Sequence, residues 1–129
     1  MVIIKEAPQQ LVEQQFAEQQ LVEMAQFKGF GIVIEVRSDD HGKFGNKRMP
    51  AHAHILDNSK TEVAQIELTD KMPKKAADIV WYKTPNPPVG LGDKIVKLAN
   101  SPSKDIKAAG GNLTVWQYMV GLWITFHGN

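Results

Sequence analysis

The chain contains no cysteine, which excludes disulfide staples, thiolate zinc sites, iron–sulfur clusters and cysteine nucleophiles. It also lacks an excess of either charge. Fifteen Lys and Arg face 14 Asp and Glu, a formal net charge of +1, so no global field draws it to nucleic acid or to a membrane. Long apolar runs are missing too, none approaching the roughly 20 residues that span a bilayer. The first apolar run, Val2-Ile3-Ile4, is too brief for a signal core and is followed by an acidic residue and a proline. The expectation is a cytoplasmic protein with no membrane partner. Its 129 residues suit one domain of ordinary size, 1–129, with no linker long enough to divide it.

From Gln9 the sequence repeats every five residues, as QQLVE, QQFAE, QQLVE and then MAQFK. Pro8 suits a first helical turn, the Gln, Glu, Leu and Ala content favours helix, and Gly29 offers a stop. The spacing therefore predicts a helix over 8–28. A five-residue repeat advances roughly 140° around the axis at each step, so the apolar residues form two faces. Val12, Phe16, Met24 and Phe27 fall on one and Leu11, Leu21, Val22 and Ala25 on the other. A helix apolar on two sides buries both, either by lying across a deep core or as an oligomerisation element with Leu11, Phe16, Leu21 and Val22 at the interface.

Strand patterns follow. Phe30 to Arg37 alternates Ile32, Ile34 and Val36 against Val33, Glu35 and Arg37. After a polar loop, Ala51 to Leu56 and Thr61 to Leu68 read as a hairpin across the turn-forming Asp57-Asn58-Ser59-Lys60. Pro73 can open a helix running to about Lys83, although Ile79 to Tyr82 alone also fits a strand. Asp93 to Asn100 reads as a short helix with Ile95, Leu98 and Ala99 inward. Asn112 is placed to cap a last helix with Trp116, Met119, Val120, Trp123 and Phe126 on one stripe, ended by Gly128. The fold class expected is α+β: a small antiparallel sheet of about three to four strands over 30–68, the N-terminal helix, and C-terminal helices within 73–127 packed on the sheet.

Chemistry concentrates in one stretch, DDHGKFGNKRMPAHAHILD, which holds three of the four histidines. His52 and His54 lie two apart on a strand, so both imidazoles leave the same face, the way a strand delivers two ligands to one ion or anion. Asp39, Asp40 and His41 end the preceding strand and can reach the same end of the sheet. His52, His54 and His41 are candidate ligands for one divalent transition metal (zinc, manganese, nickel or iron), with Asp40 and His41 the candidate catalytic groups. The intervening loop has two glycines and the cations Lys43, Lys47 and Arg48, an arrangement that could hold a phosphate, although it matches neither a Walker A loop nor a dinucleotide fingerprint. A third alternating histidine, as in the histidine-triad hydrolases, is replaced by Leu56. His127 at a helix C-terminus is explained by the helix dipole. Trp81, Trp116 and Trp123 read as core or interface anchors.

Gly31, Ile32 and Ile34, then Asp40-His41, Pro50, His52 and His54, followed by Pro73 and Trp81, resemble a family of small bacterial domains of unknown function whose hallmark is Asp-His-x-Pro-Pro-His-Phe-His. The resemblance covers about 30–82. His52 comes eleven positions after His41, farther than in the family, and Ala51 stands at the second proline. The resemblance implies a compact α+β unit and an accessory role of the toxin–antitoxin or mobile-element kind, in bacteria or phage. Three functions follow as expectations. One is an oligomeric accessory protein that binds a macromolecular, chiefly protein, partner. Another is a metal-dependent enzyme acting on a phosphate ester through His-x-His. The last is a nucleic-acid binder using the basic loop 43–48.

Overall fold

A computed structural model describes residues 24–103 and 113–127. Five strands, β1 (Met24–Gly29), β2 (Ile32–Arg37), β3 (His52–Leu56), β4 (Glu62–Glu67) and β5 (Val80–Tyr82), pair in sequence order as one antiparallel sheet. Two helices follow, α1 (Leu91–Ala99) and α2 (Val115–His127). The α+β class therefore holds, with more strands than expected.

Both extra strands come from segments with helical composition. Met24 to Lys28, expected as the last turn of the N-terminal helix, is instead β1, and Gly29 pairs with Ile32 rather than stopping a helix. The reason lies next in the chain. Phe30 and Gly31 adopt φ of 53° and 79°, a two-residue turn with both residues left-handed, whose twist matches that of paired strands. Pairing with β2 and the seating of Phe27 in the core, its ring 5.4 Å from that of Tyr118, outweigh local helix propensity. The rest of that expected helix, with Leu11, Phe16, Leu21 and Val22, lies outside the described residues. Similarly, the helix expected from Pro73 to about Lys83 is reduced to one 3-10 turn at Ala76–Asp78. Val80, Trp81 and Tyr82 then pair with Ile66, Gln65 and Ala64, since a β-branched and aromatic run gains more beside an open strand.

Strand register sorts the side chains into transverse rows. Phe27, Ile34, Ile55, Ala64 and Tyr82 face one another in turn across all five strands. All but the exposed Tyr82, together with Ile32, Val36, Ala53 and Ile66, belong to the core under the helices. Leu91, Ile95, Leu98 and Ala99 of α1 and Trp116, Met119, Leu122 and Trp123 of α2 are buried there. Trp116 still satisfies its indole N–H, which donates to the Thr69 carbonyl at 2.9 Å. Helix α2 begins with a reciprocal cap at Thr114. The Gln117 amide donates to the Thr114 hydroxyl at 3.2 Å, and the Thr114 amide donates to Gln117 Oε1 at 3.0 Å. This cap stands two residues after the expected Asn112, which is outside the described residues. No helix among the described residues is long and apolar enough to cross a membrane.

Candidate metal centre

The neighbouring row belongs to the opposite face and has a different character. Gln26, Glu35, His54, Gln65 and Trp81 stand opposite one another, one from each strand. Glu35 and His54 are buried, at 5% and 4% exposure. Buried charge and imidazole persist only when fully hydrogen-bonded, and here they are. Gln26 donates to Glu35 Oε2 at 2.7 Å, and the Arg37 Nε–H donates to Glu35 Oε1. Arg37 also lies 3.6 Å from Glu62.

His54 has a carboxylate oxygen 2.8 Å from each ring nitrogen, Glu62 Oε1 at Nδ1 and Asp40 Oδ2 at Nε2. His52 directs its Nδ1–H to the Pro50 carbonyl at 3.0 Å, which leaves Nε2 for Asp40 Oδ2, 3.5 Å away. Both imidazoles thus have Nδ1 tied to an oxygen and Nε2 turned to the same carboxylate. Their ring centroids are 5.1 Å apart. Possible donor atoms of Asp40, His52 and His54 all lie within 4.8 Å of one another, a set that can hold a metal ion. Imidazoles whose far nitrogen is fixed by a carboxylate or a carbonyl are the usual form of histidine ligands, because the outer bond sets tautomer and ring orientation. Two histidines and one carboxylate suit a divalent transition ion and leave further coordination positions open.

Glu62 owes its place to an irregularity. Leu56 opposes Glu62 while Ile55 opposes Ala64, so one extra residue, Val63, is inserted into β4. Without it, residues 62 and 65 would point to opposite faces. With it, both reach His54, and Gln65 donates to Glu62 Oε2 at 3.0 Å.

Electrostatics favour a cation. Asp40, Glu35 and Glu62 bring three carboxylates to this cluster against the single guanidinium of Arg37. Burial opposes ionisation of Glu35, yet hydrogen bonds from Gln26 and Arg37, with the positive field of Arg37 and His54, hold its pKa below the ordinary value. Glu62 follows the same pattern. Burial raises its pKa, while the Gln65 hydrogen bond and its interactions with His54 and Arg37 outweigh that and lower it. Burial alone would lower the Arg37 pKa, but the bond to Glu35 and the charges of Glu35, Asp40 and Glu62 raise it.

Sequence-predicted residues separate into two groups. Asp40 joins His52 and His54, whereas His41 is exposed and lies outside that group. It lines an adjoining cleft of about 420 Å³ with Lys47, Arg48, His52, Gln65, Trp81 and Lys83. Lys43 is not part of this lining. Four of the loop's amides are used internally. Lys43 N–H donates to Met49 O, Asn46 N–H to Lys43 O, and the Arg48 and Met49 amides to Asn46 Oδ1. Gly42 serves close packing, since a Cβ there would fall 2.3 Å from the Pro50 carbonyl oxygen. Trp116 and Trp123 are core residues as expected, but Trp81 is 43% exposed on β5. His127 stacks on Trp123 with ring centroids 4.0 Å apart and donates to the Arg37 carbonyl at 3.3 Å. Trp123 in turn lies 5.5 Å from His52, so α2 braces the site from the side of its C-terminus.

Comparison of the chain with family models, curated proteins and solved structures finds no match.

Proposed function

We propose that the protein is a metal-dependent enzyme acting on a phosphate ester, with His52, His54 and Asp40 holding one divalent transition ion. The observation that carries this reading is the convergence of both Nε2 atoms on one Asp40 oxygen, with each Nδ1 already committed elsewhere. An ion held there supplies Lewis acidity to a phosphoryl oxygen or to water. Lys47 and Arg48, on the wall of the adjoining cleft, neutralise the ester's charge, and His41 on the same wall is the group placed to exchange a proton with substrate.

The two binding readings have less behind them. Oligomerisation rests on Leu11, Phe16, Leu21 and Val22, outside the described residues. Nucleic-acid binding by loop 43–48 loses the backbone donors that the loop uses on itself. Elemental analysis of the purified full chain tests the proposal. The expected result is near-stoichiometric zinc, manganese, nickel or iron, lost in His52→Ala and in His54→Ala. Protein that takes up none of these ions, and whose melting temperature ignores both added metal and chelator, overturns it.

A further inference from the structure

The cleft beside the histidine–aspartate group has a composition that the metal alone does not require. Lys47 and Arg48 approach from the loop before β3, and Lys83 from the end of β5, while no carboxylate lines it. None of these three cations is ion-paired among the described residues. At the far side stands Trp81, an indole left 43% exposed although it occupies a sheet position. A large aromatic on an open cleft wall with free cations around it is the chemistry that holds a planar ring joined to an anion. The volume of about 420 Å³ lies in the range of small-molecule sites.

Strand register supplies the spacing. Trp81 opposes Gln65, and Gln65 opposes His54, so Trp81 stands in the same row two strands from His54, roughly 10 Å. His52, on the same strand as His54, is on the cleft lining itself. A ring stacked on Trp81 would therefore place a phosphate, one sugar away, among Lys47, Arg48 and Lys83, which share the lining with His52.

We propose that this cleft binds a sugar phosphate monoester that carries a planar base, a mononucleotide, with its base on Trp81 and its phosphate held by Lys47, Arg48 and Lys83. This names the substrate class of the metal-dependent reading and rests on that reading for the fate of the phosphate, whereas the binding itself needs only the cleft.

Isothermal titration of the full chain, with zinc and separately with chelator, tests it using inorganic phosphate, ribose 5-phosphate and adenosine 5′-monophosphate. The nucleotide is expected to bind about tenfold tighter than ribose 5-phosphate, the increment of one base stacked on an aromatic side chain. Trp81→Leu brings the ratio to about one, while Trp81→Phe retains most of it. Lys47→Gln, Arg48→Gln and Lys83→Gln weaken both esters together. A 5′-phosphorylated trinucleotide that binds no tighter than the mononucleotide marks the free nucleotide as ligand. Much tighter binding marks a strand terminus, and either result keeps ring and phosphate where they are assigned. Equal affinities for nucleotide and sugar phosphate in the wild type, or a ratio indifferent to Trp81→Leu, overturn the inference. Metal uptake with equal affinities removes the inference and leaves the metal centre. A nucleotide preference in protein that takes up no metal does the reverse.

Discussion

His54 is the residue on which the site turns, because Asp40, Glu62 and Gln65 meet its ring nitrogens, and His52 and Arg37 in turn approach those carboxylates. Glu62 is the most informative partner. It does not itself line the cleft, and it reaches the proposed ion through the outer nitrogen of the His54 imidazole, while also accepting from Gln65. Glu62→Ala is expected to weaken metal binding by roughly ten- to a hundredfold, read by competition with a chelating dye, while the protein keeps its fold. Glu35 makes a different statement, about stability. Its folded-state pKa is depressed below the ordinary 4.5, so the ionised form is favoured in the native state. Its contribution is complete above the unfolded value and disappears as pH falls through the lower folded value. Urea midpoints measured from pH 7 downwards should therefore fall below about pH 4.5, and Glu35→Gln should flatten that decline.

At the scale of elements, the strands with clean alternation were readable, and so was the Asp57–Lys60 turn, since period-two patterning is local. Residues His52 and His54 needed only that rule to be placed on one face. What escaped depended on partners distant in sequence. The run Met24 to Lys28 has helical composition and becomes a strand because β2 offers it an edge. Glu62 is brought to the site by an inserted residue, and alternation counted along β4 assigns it to the wrong face. The turn before β2 retains a local conflict. Phe30 holds a left-handed φ of 53°, which costs an ordinary L-residue roughly 1–2 kcal/mol. Phe30→Asn, which gives the favoured Asn-Gly turn, is expected to raise stability by up to about 1 kcal/mol in a denaturant titration. Gly42→Ala has the opposite sign. Its Cβ would meet the Pro50 carbonyl, so a loss of about 1–3 kcal/mol is expected, with disturbance of the loop that carries Lys47 and Arg48.

For the whole molecule, the division of labour between the two sheet faces governs what ligand binding does to stability. One face is an apolar core under α1 and α2, and the other a polar row ending in Trp81. An ion that binds only the folded chain stabilises it by mass action, about 2.7 kcal/mol when present at a hundred times its dissociation constant. Calorimetry should show the melting temperature rising by several degrees with added metal, and His54→Ala should abolish the rise.

Sequence order within the sheet has a kinetic side. Each strand pairs with its predecessor, so every pairing closes a loop of modest length and none waits for a remote part of the chain. Asp40 and His54 are only 14 positions apart, and His52 lies between them. The β2–β3 hairpin alone therefore brings all three ligands together, at the small entropic cost of a short closure. Helix α2 belongs to a slower class of event, because the bond from Trp116 to Thr69 spans 47 positions. In refolding, the geometry proposed to hold an ion is thus the inexpensive part of the structure, and the docking that roofs the apolar face carries the larger closure cost.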